Sequence, residues 1–406
     1  MRVTAASATL DRDVLRSTVL ALLAACHSAA ATTPDALRDA PLGDGEPDAA
    51  ASVCPAGSTL LVDRTACSMT AVAPPASLLS SDAQPGDIVS LDGLDEGSLP
   101  CAPAYVCSPS GAATMLFSDD PESPSSDGVL YADTFGPGRA RIYVYHVNGG
   151  ATPRKFPVVV LNQNAADAHV TIVKEGLGGP STDYVDVGKA VAAAWMASSG
   201  ANVVTVPANT RVLLDQALDD EHANTDELVH AIIDVDVDAP VKISIVSVLA
   251  SEDAAAITAS LPLLGNDGLH DRGTFPGADV WIAGRVGDAG ASARNVRLGG
   301  DVTEPDLTGT DATTGAAASL LGNYGVAYRV IVAAPGELRL AASPRGGGWV
   351  GALGPSSVVP LPTSPGALAQ TNDVVWLATL GAAPADFALM SGGGSSLPVD
   401  IVVITP

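Results

Sequence analysis

The sequence predicts a mainly β protein: two β-sandwich-like domains with one short helix, preceded by a small disulfide-stapled segment. Three observations predict it. From residue 112 onward, short runs of β-branched and aromatic residues alternate with clusters of Gly, Pro, Asn and Asp, the punctuation of sandwiches and barrels. Only one stretch carries apolar residues at helical spacing. Cys54, Cys67, Cys101 and Cys107 crowd into a segment too short to build much core of its own.

Composition sets the outer limits. A chain of 406 residues, 47% hydrophobic and 16% charged, is too apolar to be disordered and has room for about two domains. Aromatic residues make up 4%, so Val, Leu, Ile and Ala must fill the cores. The formal net charge of −25 sets nucleic acid aside, because phosphate binding rests on Lys and Arg contacts. Attraction to anionic lipid is set aside for the same reason. The acidity reads as a solubility device.

The first element is an export signal over residues 1–25. Arg12 and Arg16 precede the apolar run Ser17–Ala25, which is too short to cross a bilayer. The run ends in Leu23-Ala24-Ala25-Cys26, which resembles the lipobox of bacterial lipoproteins. That resemblance implies cleavage before Cys26, lipidation of its thiol and acylation of its new amine. Several acyl chains anchor stably where one does not. His27 stands where an inner-membrane retention Asp would stand, so the resemblance favours the outer membrane. Residues 26–52 then form a low-complexity tether with no apolar periodicity.

Residues 53–111 form the Cys-containing segment, with strands at Ser58–Val62 and Asp87–Leu91. Removing the lipidated Cys26 leaves an even four cysteines, which suits two disulfides in an oxidising compartment. Of three connectivities, Cys54 with Cys67 and Cys101 with Cys107 is the simplest. Zinc is the weaker alternative, since no CxxC pair or adjacent His is present.

Domain one, residues 112–255, carries candidate strands from Ala113–Phe117 to Val241–Leu249. Its clearest pair, Ile232–Val237 and Val241–Leu249, reads as a hairpin around Asp238-Ala239-Pro240. Alternation places Asp234, Asp236 and Asp238 on one face and Ile233, Val235 and Val237 on the other. The helix is expected at Tyr184–Ser198. Val187, Val191, Ala194 and Trp195 form its stripe, Ser181-Thr182-Asp183 offers caps and Gly200 a stop. Domain two, residues 268–406, carries strands from Asp279–Ala283 to Val399–Ile404, with the boundary at 251–269.

Several motifs occur in a fixed order. They are Phe117-Ser118-Asp119-Asp120-Pro121-Glu122, Gly128-Val129-Leu130-Tyr131, Tyr145-His146-Val147-Asn148 and Gly179–Lys189, followed by Gly322-Asn323-Tyr324-Gly325-Val326 and Pro344-Arg345-Gly346-Gly347. Over about 113–355 this order resembles a group of uncharacterised exported proteins of Gram-positive bacteria. Some of these carry a copper-amine-oxidase-type stalk domain. The resemblance implies no activity and no catalytic residue; the topaquinone motif and copper histidines are missing from the sequence.

Candidate chemistry is sparse. His146 sits in a strand and reads as structural. His222 and His230 lack HExxH spacing and form no compact zinc pair. Asp215, Asp219, Asp220 and Glu221 are the calcium candidates. Calcium takes about six to eight oxygens, but no EF-hand pattern is present here. Gly176–Thr182 has no P-loop and reads as glycines serving a tight turn. Trp349 and Trp376 are the aromatics that could form a surface platform, with burial the simpler reading. No GxSxG elbow occurs. The sequence therefore favours a non-enzymatic, envelope-anchored lipoprotein with a binding or structural role at the cell surface. Its expected partners are the membrane, through the lipid, and an envelope polysaccharide or protein. The alternatives are a surface enzyme acting on polysaccharide or peptide and a calcium-stabilised adhesin.

Overall fold

The computed structural model describes residues 54–64, 72–94, 99–285, 292–300, 304–333, 336–370, 372–381, 384–395 and 397–406. Cys26, the tether and Cys67 lie outside the described residues. The described residues are mainly β, arranged in four sheets.

The largest sheet has eight strands, in the order Asn202–Val206, Ala168–Ser181, Leu228–Val237, Gly138–Val147, Thr114–Ser118, Arg272–Pro276, Leu307–Asp311 and Ala316–Leu320. Its neighbours are antiparallel except Thr114–Ser118 beside Gly138–Val147, which run parallel. A smaller sheet, ordered Arg211–Leu213, Val158–Leu161, Val241–Leu249 and Gly128–Phe135, covers one face. Ile142, Val144, Val229, Ala231, Ile233 and Val235 pack there against Leu130, Val158, Val160, Ile243 and Ile245.

The other face of the large sheet is equally apolar. Tyr143, Tyr145, Phe117 and Ile232 join a second core with the Tyr184–Ala197 helix and two further sheets. One of these has seven strands, ordered Ser58–Arg64, Ala104–Pro109, Asp279–Arg285, Ala327–Ala333, Ala385–Ser391, Gly351–Gly354 and Val359–Leu361. The other has five, ordered Ser292–Leu298, Val399–Thr405, Leu338–Pro344, Asp373–Leu380 and Ile88–Ser90. The central strands of the large sheet are therefore buried on both faces. That is why Ala140–Val147 and Leu228–Val235 are continuous buried runs rather than alternating ones.

The helix spans Tyr184–Ala197, one residue shorter than expected, and the Asp183 carboxylate caps it by accepting from Asp186 N at 3.2 Å. Val187, Val191 and Trp195 are buried as the stripe requires. Ala194 is exposed instead, and Gly188, Ala192 and Met196 complete a second buried stripe. The helix is packed on two sides, so a single stripe understates its contacts.

Two expectations are corrected. Leu228–Val237 and Val241–Leu249 do not form a hairpin; they lie in different sheets, and the Asp238-Ala239-Pro240 link turns the chain from one layer of the sandwich to the other. Pro240 has no N–H to offer a tight ladder, and the link lacks the Gly that a two-residue hairpin turn demands. The disulfide joins Cys54 to Cys107, with Cα atoms 6.0 Å apart, not Cys54 to Cys67. Strand pairing selects it: Ser58–Arg64 runs antiparallel to Ala104–Pro109, with Leu60 opposite Cys107. Cys101 is disulfide-bonded as well.

The remaining boundaries are softer than the sequence suggests. Arg272–Pro276, Leu307–Asp311 and Ala316–Leu320, assigned to residues 268–406, extend the large sheet begun by residues 112–255. The Cys-containing segment supplies two strands to the seven-stranded sheet. Its Leu78, Leu91 and Leu99 cover Ala341, Val374, Trp376 and Val402 on the five-stranded one. Among the described residues no helix is long and apolar enough to cross a membrane.

Candidate functional site

The titratable side chains concentrate where Ser118–Glu122, leaving the strand Thr114–Ser118, meets the loop Asn266–Asp271 that leads into Arg272–Pro276. Asp120 is fully buried and accepts from Asn266 Nδ2 at 2.5 Å and Asp267 N at 2.7 Å. Asp267 in turn accepts from Glu122 N at 3.1 Å. His270 lies between them, with Nδ1 2.8 Å from Asp267 and Nε2 3.0 Å from Glu122. Burial alone would pull the imidazole down, but these two carboxylates outweigh it and hold His270 at about 11. It is an imidazolium donating from both nitrogens, so it has no lone pair to act as a general base. Burial likewise opposes the charge on Asp267, yet His270 and three backbone amides keep it well below the usual carboxylate range.

Asp119 shows the opposite balance. Burial pushes its carboxyl well above the usual range, and Glu122 raises it further. Its Oδ1 has no hydrogen-bond partner among the described residues. Arg272 is spent on the framework: Nε lies 3.3 Å from Asp311 and 3.6 Å from Asp120, and Nη1 donates to the carbonyls of Asp120, Leu130 and Leu264. His270 and Arg272 line a cleft of about 320 Å³ together with Asn266, Asp271, Asp311 and Thr314, with the strand Ala316–Leu320 along one side. Its cations are each paired with two carboxylates, so what the cleft presents is an acidic, hydrogen-bond-accepting wall.

A serine–histidine pair lies behind it. Ser118 Oγ is 2.8 Å from His146 Nε2, and His146 Nδ1 is 3.0 Å from the Pro121 carbonyl. The carbonyl can only accept, so Nδ1 carries the proton and the serine hydroxyl donates to Nε2. This resembles a nucleophile with its base. Both side chains are fully buried, however, and burial holds His146 neutral, at about 3. Within the described structure the pair ties the Pro121 turn to the sheet.

The other sequence candidates stay apart. His230 is buried between the Tyr143 and Tyr145 rings, 4.7 and 5.2 Å away, and donates from Nδ1 to Val144 O; burial lowers it to about 4. His222 is exposed. Among the calcium candidates, Asp215 caps a one-turn helix by accepting from Leu218 N at 2.7 Å. Asp219 pairs with Lys155 at 2.8 Å, Asp220 accepts from Gln216 at 2.8 Å, and Glu221 is partly exposed. Burial, reinforced by Asp215, raises Glu175 to about 7. Among the described residues no group of three or more His, Cys, Asp or Glu is arranged to hold a metal. Trp349 and Trp376 are both buried.

The glycine run Gly176–Thr182 is not a turn. It belongs to the strand Ala168–Ser181, and a Cβ on Gly176 would lie 2.3 Å from Val191 O of the helix. The glycines let the helix lie directly on the strand. The cluster around His270 was not legible in the sequence, because its two halves, Asp119–Glu122 and Asn266–Arg272, lie about 150 residues apart; the Asp-Asp-Pro-Glu run was the one local signal.

No protein-family model matches the chain, and no curated protein matches it. Among solved structures it is similar to an oxalate decarboxylase of Lactobacillus farciminis, at 10% identity over 82% of this chain and 89% of that one, with a TM-score of 0.15. It is also similar to vicilin from tomato, Solanum lycopersicum, at 7% identity over 80% and 81%, with a TM-score of 0.13. Similarity at this level carries no argument about what the chain does.

Proposed function

We propose that this chain is an exported bacterial lipoprotein, held to the cell envelope through Cys26, with a non-enzymatic binding or structural role at the cell surface. The observation that carries the reading is the order of the sequence: Arg-flanked apolar leader, Leu-Ala-Ala-Cys, low-complexity tether, then a cysteine-stapled β-rich body. The Cys54–Cys107 disulfide adds support, since such bonds persist in oxidising compartments. The outer membrane is the favoured address. The partner is an envelope polysaccharide or protein.

The test has two parts. Full-length protein and Cys26→Ala are expressed in a Gram-negative host and partitioned into detergent. The parent is expected in the detergent phase and the variant in the aqueous phase; equal partitioning overturns the anchor. The purified protein is then sedimented with insoluble envelope polysaccharide, with and without calcium. Saturable binding without sugar release supports polysaccharide binding. Release of soluble sugar overturns the non-enzymatic role, and failure to bind transfers the role to a protein partner.

A further inference from the structure

Among the described residues, the large sheet ends in a strand whose outer edge pairs with nothing. Ala316–Leu320 reads Ala-Ala-Ala-Ser-Leu and, among the described residues, pairs only with Leu307–Asp311. Ala316, Ala317 and Ser319 are exposed. Edge strands usually carry a Lys, a Pro or a bulge against unwanted pairing, and this one has none. It is also firmly held. Asp311 accepts from Thr313 and Thr314 in the connecting turn, at 2.5 and 2.9 Å, and Leu320 is fully buried in the second core.

The surroundings select the partner. The cleft of about 320 Å³ runs beside the strand and gives room for side chains from an added segment. Leu321, 47% exposed, lines it, and Leu269, 61% exposed, adjoins its wall; both offer apolar contact. Partly exposed carboxylates stand at the far end of the strand, where Asp271 and Asp306 accept from Leu321 N and Gly322 N at 3.1 Å each. The nearby cations, His270 and Arg272, are each paired with two carboxylates. A chain of net charge −25 disfavours a second copy of itself as occupant.

We propose that Ala316–Leu320 is a docking edge at which an extended, Lys- or Arg-bearing polypeptide adds as a further strand. Its main chain completes the ladder, and its basic side chains are drawn to the acidic end of the strand at Asp271 and Asp306. This deepens the binding role proposed above and names a protein partner class for it.

The test uses the full-length protein and fluorescence polarisation of a labelled peptide of alternating lysine and valine. Saturable binding is expected. A peptide N-methylated at alternate residues, which cannot pair along one edge, is expected to bind at least about tenfold more weakly, as is a glutamate–valine counterpart. Ala317→Lys and Ser319→Lys leave the backbone intact and are each expected to weaken binding about tenfold. Val203→Lys, on the opposite edge strand Asn202–Val206, is expected to leave it unchanged. Lack of saturable binding, equal affinity for the N-methylated peptide, or indifference to both Ala317→Lys and Ser319→Lys would overturn the proposal. Cys26→Ala is expected to bind the peptide normally, so failure of the docking edge and failure of the anchor are read separately.

Discussion

Asp234 shows how much one buried carboxylate can organise. It accepts from Arg139 at 2.7 Å, Arg141 at 2.8 Å and Trp195 Nε1 at 3.0 Å, and Arg141 outweighs burial to keep it below the usual carboxylate range. Arg141, itself fully buried, also reaches Asp279 and the carbonyls of Ala278 and Gly325, and its guanidinium lies 4.5 Å from the centre of the Trp195 ring. Removing one member of such a network strands the rest in a low-dielectric interior. Asp234→Ala is expected to cost about 3–5 kcal/mol by urea unfolding. Arg329→Ala, at the exposed pair with Asp386, is expected to cost under about 1 kcal/mol. Alternation placed Asp234 on one face together with Asp236 and Asp238, opposite Ile233, Val235 and Val237. What it could not show is that the strand is buried on both faces at Asp234, so the charge there is paired rather than solvated.

His270 makes a second prediction, about pH. Its folded value, about 11, lies above the ordinary 6.5. The folded state therefore binds the proton more tightly, and the stabilisation is complete below about 6.5 and declines as pH rises toward 11. Between about pH 7 and 9 the parent's stability is expected to fall by up to about 1.4 kcal/mol per pH unit, with a flatter profile for His270→Gln. Identical slopes in thermal melts would show that the Glu122–His270–Asp267 clamp does not bind the proton as described. In the sequence His270 followed an Asn-Asp-Gly-Leu loop with nothing local to mark it; its importance comes from Glu122, which the fold supplies.

At the scale of elements, the helix was the most legible feature, because its cap, stripe and stop lie within one short window. What periodicity could not show is that a second surface also covers it. Gly188 records this: a Cβ there would lie 1.9 Å from the carbonyl oxygen of Gly393. Gly→Ala inside a helix ordinarily gains about 1 kcal/mol. Here the sign is expected to reverse, with Gly188→Ala lowering the urea midpoint, while Asp183→Ala loses about 1 kcal/mol of cap. Strand legibility followed side-chain chemistry. Asn202–Val206 and Val241–Leu249, rich in β-branched residues, appear where expected. Leu307–Asp311 and Ala316–Leu320 were missed: Gly309 and Asp311 interrupt the signal of Thr308 and Thr310, the second strand is mostly Ala, and the pairing of both is imposed by neighbours.

At the scale of the molecule, the sequence conveyed the class of fold but not its connectivity. Short strands and turn formers identify a β protein, whereas the choice of partners rests on long-range contacts. The Cys54–Cys107 bond and the extension of the large sheet past residue 268 both show it. Trp195, from the first predicted domain, and Trp349, from the second, belong to one contiguous core. Unfolding followed by tryptophan fluorescence and by far-ultraviolet circular dichroism is accordingly expected to give coincident transitions. Two separated transitions would restore two independent domains.

The anchored-lipoprotein reading is tested most directly by mass spectrometry of the N-terminal peptide of the full-length protein expressed in a Gram-negative host. The expected peptide begins at Cys26 and carries a thioether-linked diacylglyceryl group and an amide-linked acyl chain. A peptide that begins elsewhere, or an unmodified Cys26, would contradict it.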